Sequence, residues 1–198
     1  MTLARKTSPP PGFVRIIGGT WKRTRLPVPQ RPGLRPTPDR VRETLFNWLG
    51  QDLSGWRVLD AFAGSGALGF EAASRGAREV LLLETDPGLV RALHASRERL
   101  QASQLRIEQA DALRWMGRAE PAGFDLVMLD PPFGADLFGR ALQAAAPLLA
   151  AHGCIYLEAD RPFGEAELAP FGLAVHRSDQ AGRVFFHLLR PTPVEPNA

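Results

Sequence analysis

Asp130-Pro131-Pro132-Phe133 closes the apolar run Phe124-Asp125-Leu126-Val127-Met128-Leu129, where a buried strand is expected to reach solvent. A carboxylate, a stiffened backbone and an aromatic ring meet there. That combination can grip a flat, amine-bearing ring: the Asp130 carboxylate and the Pro131 carbonyl accept the amine hydrogens, and Phe133 covers one face. Neither proline carries a backbone N–H, and their fixed φ angles keep the turn rigid. Taken alone, the tetrapeptide is equally readable as an ordinary strand-ending turn.

The upstream residues bear on that choice. A short apolar strand runs into Asp60-Ala61-Phe62-Ala63-Gly64-Ser65-Gly66-Ala67-Leu68-Gly69, in which Gly64, Gly66 and Gly69 form G-x-G-x-x-G between a strand and a helix. NAD, FAD and S-adenosylmethionine sites share this pattern. A carboxylate directly before the glycines repels a pyrophosphate but suits the amino-acid and sulfonium end of S-adenosylmethionine; the alternative role for Asp60 is to cap the following helix. Glu84 ends the next strand, where an acidic side chain accepts hydrogen bonds from ribose hydroxyls. Asp86 reads as the N-cap of a helix starting at Pro87 rather than as a ligand contact. Asp111 follows the third strand and suits an adenine amine, with N-capping again the competitor. Asp125 stands at the opposite end of its strand and reads as surface. Asp60, Glu84, Asp111 and Asp130 thus end four successive strands, along the edge where open α/β sheets bind ligands. The joint reading is an S-adenosylmethionine pocket with an amine-gripping turn beside it.

The elements that position these residues alternate. Strands are expected at 57–62, 79–84, 105–109, 124–130 and 154–158, with helices at 67–74, 87–100, 112–116 and 136–149, an alternation that argues for a parallel sheet covered by helices on both faces. Residues 173–176 and 183–188 are two strands separated by a turn at 178–182, too short for anything but antiparallel pairing. A parallel sheet ending in a hairpin is not the usual dinucleotide-binding arrangement. Before residue 57, 13–21 reads as a strand with a Gly18-Gly19 turn or bulge and 22–29 as a second short strand. A proline-rich loop follows, then a helix with Thr37 as N-cap, Pro38 in the first turn, Asp39 opposing the dipole and Gly50 at its end.

Composition bounds the rest. The chain has 198 residues, enough for one well-buried α/β domain and a small appendage. No apolar run approaches the roughly 20 residues of a membrane span, and the first residues lack the apolar core of a signal peptide. A single cysteine, Cys154, excludes an internal disulfide and a multi-cysteine metal cluster, and its apolar neighbours read as a buried strand. The four histidines have no metal-site spacing, so no metal is expected. A cytoplasmic protein fits these features. Charge is uneven: residues 1–50 carry ten Lys or Arg against Asp39 and Glu43, whereas the remainder is net acidic. A basic arm on an acidic body implies an anionic partner, most simply nucleic acid, although a generic solubilising tail would account for residues 1–12.

Arg15-Ile16-Ile17-Gly18-Gly19, Leu34-Arg35-Pro36-Thr37, the run from Asp39 to Leu49, the glycine loop and Asp130–Phe133 together resemble the RsmD family, bacterial 16S ribosomal RNA guanine-N2 methyltransferases, over roughly residues 13–190. The segment with Arg-Pro-Thr and Arg-Glu-Thr-Leu-Phe-Asn is the family-specific part. The resemblance implies a Rossmann-like class I methyltransferase with a mostly parallel seven-stranded sheet, a C-terminal antiparallel hairpin and a small N-terminal hairpin-and-helix extension. It implies a basic RNA-binding extension at 1–50, a methyltransferase domain at 51–190 and a flexible tail at 191–198. S-adenosylmethionine would be held by Asp60, Phe62, Gly64, Gly66, Glu84 and Asp111. Asp130, Pro131 and Phe133 would form the catalytic site, with Phe133 standing where many relatives have Tyr. Arg15, Lys22, Arg23, Arg25, Arg35, Arg40 and Arg42 would hold phosphates of 16S rRNA, within an assembling small subunit, and the protein would act as a monomer. Three competitors stand beside this reading: a DNA adenine-N6 or cytosine-N4 methyltransferase, a non-catalytic RNA-binding assembly factor, and an NAD-dependent oxidoreductase. The first usually needs a larger target-recognition domain, the second is disfavoured by an intact set of pocket residues, and Asp60 and the terminal hairpin weigh against the third.

Overall fold

The structure, a computed structural model, describes residues 12–31, 34–132 and 137–192. Phe133 and most of the tail from 191 onward lie outside the described residues. At the N-terminal end, β1 (Gly12–Arg15) and β2 (Arg25–Val28) pair antiparallel, Gly12 opposite Val28 and Arg15 opposite Arg25. The connection between them docks on the body of the molecule. The Thr20 amide donates to the Ser74 carbonyl at 2.7 Å and the Trp21 amide to Ser74 Oγ at 2.9 Å. Gly19 has φ +71°, and a Cβ there would fall 1.8 Å from the Ser74 carbonyl oxygen, so the close approach admits only glycine.

Helix α1 (Asp39–Trp48) follows, burying Val41, Arg42, Leu45 and Phe46 on one face. Its N-cap position is Pro38 and no side chain caps it. Thr37 is therefore not the N-cap; its buried hydroxyl is turned instead toward Glu158.

From residue 57 the expected alternation holds. In chain order come β3 (Arg57–Asp60), α2 (Ala67–Ser74), β4 (Glu79–Glu84), α3 (Pro87–Arg99), β5 (Leu105–Gln109), α4 (Ala112–Met116), β6 (Phe124–Leu129), α5 (Phe138–Ala145), β7 (Leu149–Ala159), α6 (Glu165–Leu168), β8 (Leu173–Ala181) and β9 (Val184–Pro191). The seven strands of the main sheet lie in the order β5-β4-β3-β6-β7-β9-β8. The first five are parallel, and β9 pairs antiparallel with both β7 and β8.

Two strands are longer than the sequence pattern predicts. β7 starts at Leu149 rather than Cys154, because a register shift opposite Phe124 and Leu126 lets exposed His152 sit within it. β8 runs through 178–181, the stretch expected as a turn, leaving a two-residue turn at Gly182 and Arg183. β8 is an edge strand, and its last residues are exposed and polar, so no apolar alternation marks them. Pro147 lies in the 3₁₀ turn Ala146–Leu148 that ends α5, four residues short of the expected helix end.

The sheet has a core on each face. One core joins Val14, Ile16, Leu26 and Val28 of the hairpin and Val41, Leu45 and Phe46 of α1 to α2, α3 and the sheet, so the N-terminal hairpin shares this core with the sheet. Trp48 stacks on Phe186 of β9 with ring centroids 5.3 Å apart. The other core lies under α4 and α5. No helix among the described residues is long and apolar enough to cross a membrane.

Candidate active site

The strand tips open into a cleft of about 1000 Å³, lined among others by Asp60, Phe62, Gly64, Glu84, Asp111, Asp130 and Pro131. The four strand-end carboxylates singled out by the sequence are thus brought to one cavity. Parallel pairing does this: the strands lie side by side in the order β5-β4-β3-β6, so their carboxyl ends emerge along one edge.

The glycine loop is built for close approach. Gly64 has φ +50° and Gly66 φ +79°, and a Cβ on Gly66 would stand 2.6 Å from Leu93 Cδ2. Glu84 Oε2 accepts the Gly64 amide at 2.8 Å, and Glu84 Oε1 accepts the Thr85 and Asp86 amides at 2.7 and 2.8 Å. Glu84 therefore ties the loop after β3 to the loop after β4, and its Oε2 keeps a lone pair for a ligand hydroxyl.

Asp60 contacts the helix that follows the glycine loop. Its Oδ2 accepts the Gly69 amide at 2.9 Å, in the first turn of α2, while the residue lines the cleft. Burial pushes its carboxyl up to about 7; the nearby charges of Glu84 and Glu158 add to this and the Gly69 amide opposes it. Asp86 is the N-cap of α3, accepting from Gly88 and Leu89, and Asp111 is the N-cap of α4, accepting the Arg114 amide at 2.8 Å. Asp111 still lines the cleft. Asp125 accepts the Arg57 amide at 2.7 Å, at the far end of the sheet.

Asp130 sits at the tip of β6 with its carboxyl pushed well above the usual range by burial and by the charges of Glu158 and Asp60. Glu158, near the end of β7, is 3% exposed and lines the same cleft; no motif in the sequence marks it. Tyr156 donates its hydroxyl to Glu158 Oε1 at 2.9 Å, and burial also pushes the Glu158 carboxyl up. The local signal was a lone carboxylate in the apolar run Cys154-Ile155-Tyr156-Leu157-Glu158-Ala159. Three desolvated carboxylates (Asp60, Asp130, Glu158) at one cavity favour a cationic or proton-donating ligand. Among the described residues no group of three or more His, Cys, Asp or Glu is arranged to hold a metal ion.

The basic residues divide. Arg15, Lys22, Arg23, Arg25, Arg35 and Arg40 are exposed. Arg42 is not. It is fully buried, donating to Glu71 Oε2 at 3.1 Å, Asp39 Oδ1 at 2.6 Å, and the Thr37 and Arg15 carbonyls at 3.1 and 2.9 Å. No phosphate can reach it, and the expectation that it binds RNA is corrected. It instead belongs to a buried network centred on Glu71, which also accepts from Arg75 and from the Ile17 and Gly18 amides. Helical periodicity placed Arg42 on α1 but could not say that a carboxylate of α2 lay opposite it. Arg31, not singled out from the sequence, pairs with Asp86 at 3.1 Å at the cleft rim.

A sheet of this topology with a glycine loop after its first parallel strand, a carboxylate at each neighbouring tip and a proline-rigidified turn beside them defines a Rossmann-like methyltransferase. The signature described as "Conserved hypothetical protein 95" spans residues 14–190, and the chain belongs to that family, the RsmD family. It is 39% identical over 179 residues to ribosomal RNA small subunit methyltransferase D of Escherichia coli K12, covering 89% of each chain. The protein of the same name from Haemophilus influenzae is 41% identical over 155 residues, 76% of this chain and 80% of that one. Among solved structures, Escherichia coli yhhF superposes with a TM-score of 0.80 at 35% identity, covering 92% of this chain and 100% of that chain.

Proposed function

We propose that the protein transfers a methyl group from S-adenosylmethionine to the exocyclic N2 amine of a specific guanine in small-subunit ribosomal RNA, in the cytoplasm. The observation that carries this is the convergence of Asp60, Glu84, Asp111 and Asp130 on one cleft. Membership of a family whose named relatives are ribosomal RNA small subunit methyltransferases supports the substrate class.

The residues fit the cofactor by charge and shape. Glu84 would offer an acceptor for a ribose hydroxyl and Asp111 for an adenine amine, while Asp60 would hold the cationic end, whose charge favours the ionised form of its carboxyl. The cofactor, when bound, supplies an electrophilic methyl group on a sulfonium. The chain's own work is on the acceptor. The lone pair of a guanine N2 amine is delocalised into the ring, and acceptance of its hydrogens by Asp130 and the Pro131 carbonyl localises that lone pair and aims it. The raised affinity of Asp130 for protons lets it take the amine proton as the new N–C bond forms, leaving a neutral secondary amine. Positioning supplies most of the remaining acceleration. A base reaches a strand-end cleft only by leaving its stack, and Phe133 is assigned the replacement stacking.

The reading is tested by incubating the protein with methyl-labelled S-adenosylmethionine and, separately, naked 16S rRNA, partly assembled small subunits and duplex DNA. N2-methylguanine in ribosomal RNA is expected, with the assembling subunit as the better substrate. Label in DNA alone, or in no nucleic acid, would overturn it.

A further inference from the structure

The cleft divides along the strand order. The tips of β3, β4 and β5 line one half, with the glycine loop; the tips of β6 and β7 line the other, with Pro36 and Thr37. In that second half Leu129 of β6 pairs with Leu157 of β7, so the next residues, Asp130 and Glu158, stand side by side. Glu158 is anchored by two donors, the Tyr156 hydroxyl and the Thr37 hydroxyl. A carboxylate has about four lone-pair sites, which leaves Glu158 acceptor capacity beside the amine-gripping Asp130. The arginine nearest in charge, Arg42, is committed to Glu71, Asp39 and two carbonyls.

Amine-bearing bases differ in the ring atom next to the amine. In guanine N1–H is a donor; in adenine N1 and in cytosine N3 it is a bare lone pair. A second carboxylate beside the first matches a donor next to the amine and repels a lone pair in that place. We propose that Glu158 is a specificity-determining residue that selects guanine by accepting its N1–H, while Asp130 accepts from N2, and that Thr37 and Tyr156 aim it. The inference rests on the methyltransferase reading above and assigns the choice of base to a side chain outside the Asp-Pro-Pro-Phe turn.

A double-mutant cycle between enzyme and base tests it. The wild-type protein first locates the methylated guanine by mass spectrometry; if no N2-methylguanine forms, the methyltransferase reading fails and not merely this inference. Small-subunit RNA is then prepared with guanine or 2-aminopurine at that position, the latter keeping the N2 amine but lacking the N1–H. The wild-type protein is expected to favour guanine by about 10- to 100-fold in kcat/KM, the range of one hydrogen bond to a charged group. Glu158→Gln, whose amide can donate, is expected to bring the two bases within about threefold, with S-adenosylmethionine affinity unchanged. Thr37→Val, which removes an anchoring hydroxyl at constant shape, should narrow the preference in the same direction, and it carries the test if Glu158→Gln fails to fold. A folded variant that keeps the full preference for guanine, or loses activity equally on both bases, would overturn the proposal.

Discussion

Asp130 shows how an environment turns an ordinary carboxylate into a site. Burial, and then the charges of Glu158 and Asp60, raise its proton affinity. Asp130→Ala is expected to lower methyl transfer by at least about 100-fold, as loss of a reacting-centre contact does, with S-adenosylmethionine binding within a few-fold of wild type. Equal losses in both would move Asp130 to the cofactor half of the cleft. Asp60 gives a pH prediction with a definite sign. Its folded value is raised to about 7 from an unfolded value near 4, so the folded state holds the extra proton between the two. Its contribution to stability is present at low pH and is lost as pH rises from about 4 to 7. A cation bound beside it favours the ionised form. The gain in melting temperature on adding S-adenosylmethionine should therefore be larger at pH 8 than at pH 5.5, and a gain that is flat across this range would count against a cation at Asp60.

At the scale of elements, the N-terminal hairpin and α1 are held to α2 by a buried carboxylate rather than by apolar contact alone. Glu71 is fully buried and receives two guanidinium groups and two backbone amides. Removing one member of such a network strands uncompensated buried charge, at a cost of about 3–5 kcal/mol. Glu71→Ala should therefore lower unfolding free energy by that order in urea titrations, and Arg42→Ala should behave alike. A change below about 1 kcal/mol would mean that the apolar core of Ile16, Leu26, Leu45 and Phe46 holds the extension unaided. The Arg-Pro-Thr segment joins this network to the cleft: Thr37 reaches Glu158 with its hydroxyl and Arg42 with its carbonyl.

Across the whole molecule, the excess of positive charge is carried by the N-terminal elements. The exposed Arg15, Lys22, Arg23, Arg25, Arg35 and Arg40 belong to the hairpin, the following loop and the start of α1, and Arg35 also lines the cleft. If they hold phosphates, each contact adds roughly 0.7–0.9 to the slope of log affinity against log salt. Lys22→Ala and Arg40→Ala are each expected to lower that slope for small-subunit RNA by about one contact between roughly 50 and 200 mM salt, without altering stability. Arg42→Ala should leave the slope in place and lower stability instead. Unchanged slopes for the first two would remove these elements from the RNA interface.

Local pattern alone determined the alternation of elements, the glycine loop and the carboxylates at four strand tips. Each of these depends on a residue's position within its own strand or turn, which periodicity and turn chemistry record. The same local information left Asp60 and Asp111 each with two roles, because capping and ligand contact ask for the same residue type at the same place. It misjudged Arg42, whose fate depended on Glu71 lying 29 residues away, and Thr37, whose partner lies on β7. It passed over Glu158, because a lone acidic residue in an apolar run means nothing until the strand order sets β7 beside β6. Which charges are buried, and which carboxylate stands next to Asp130, were decided only by tertiary structure, since burial and lateral strand pairing come from contacts between segments distant in the chain.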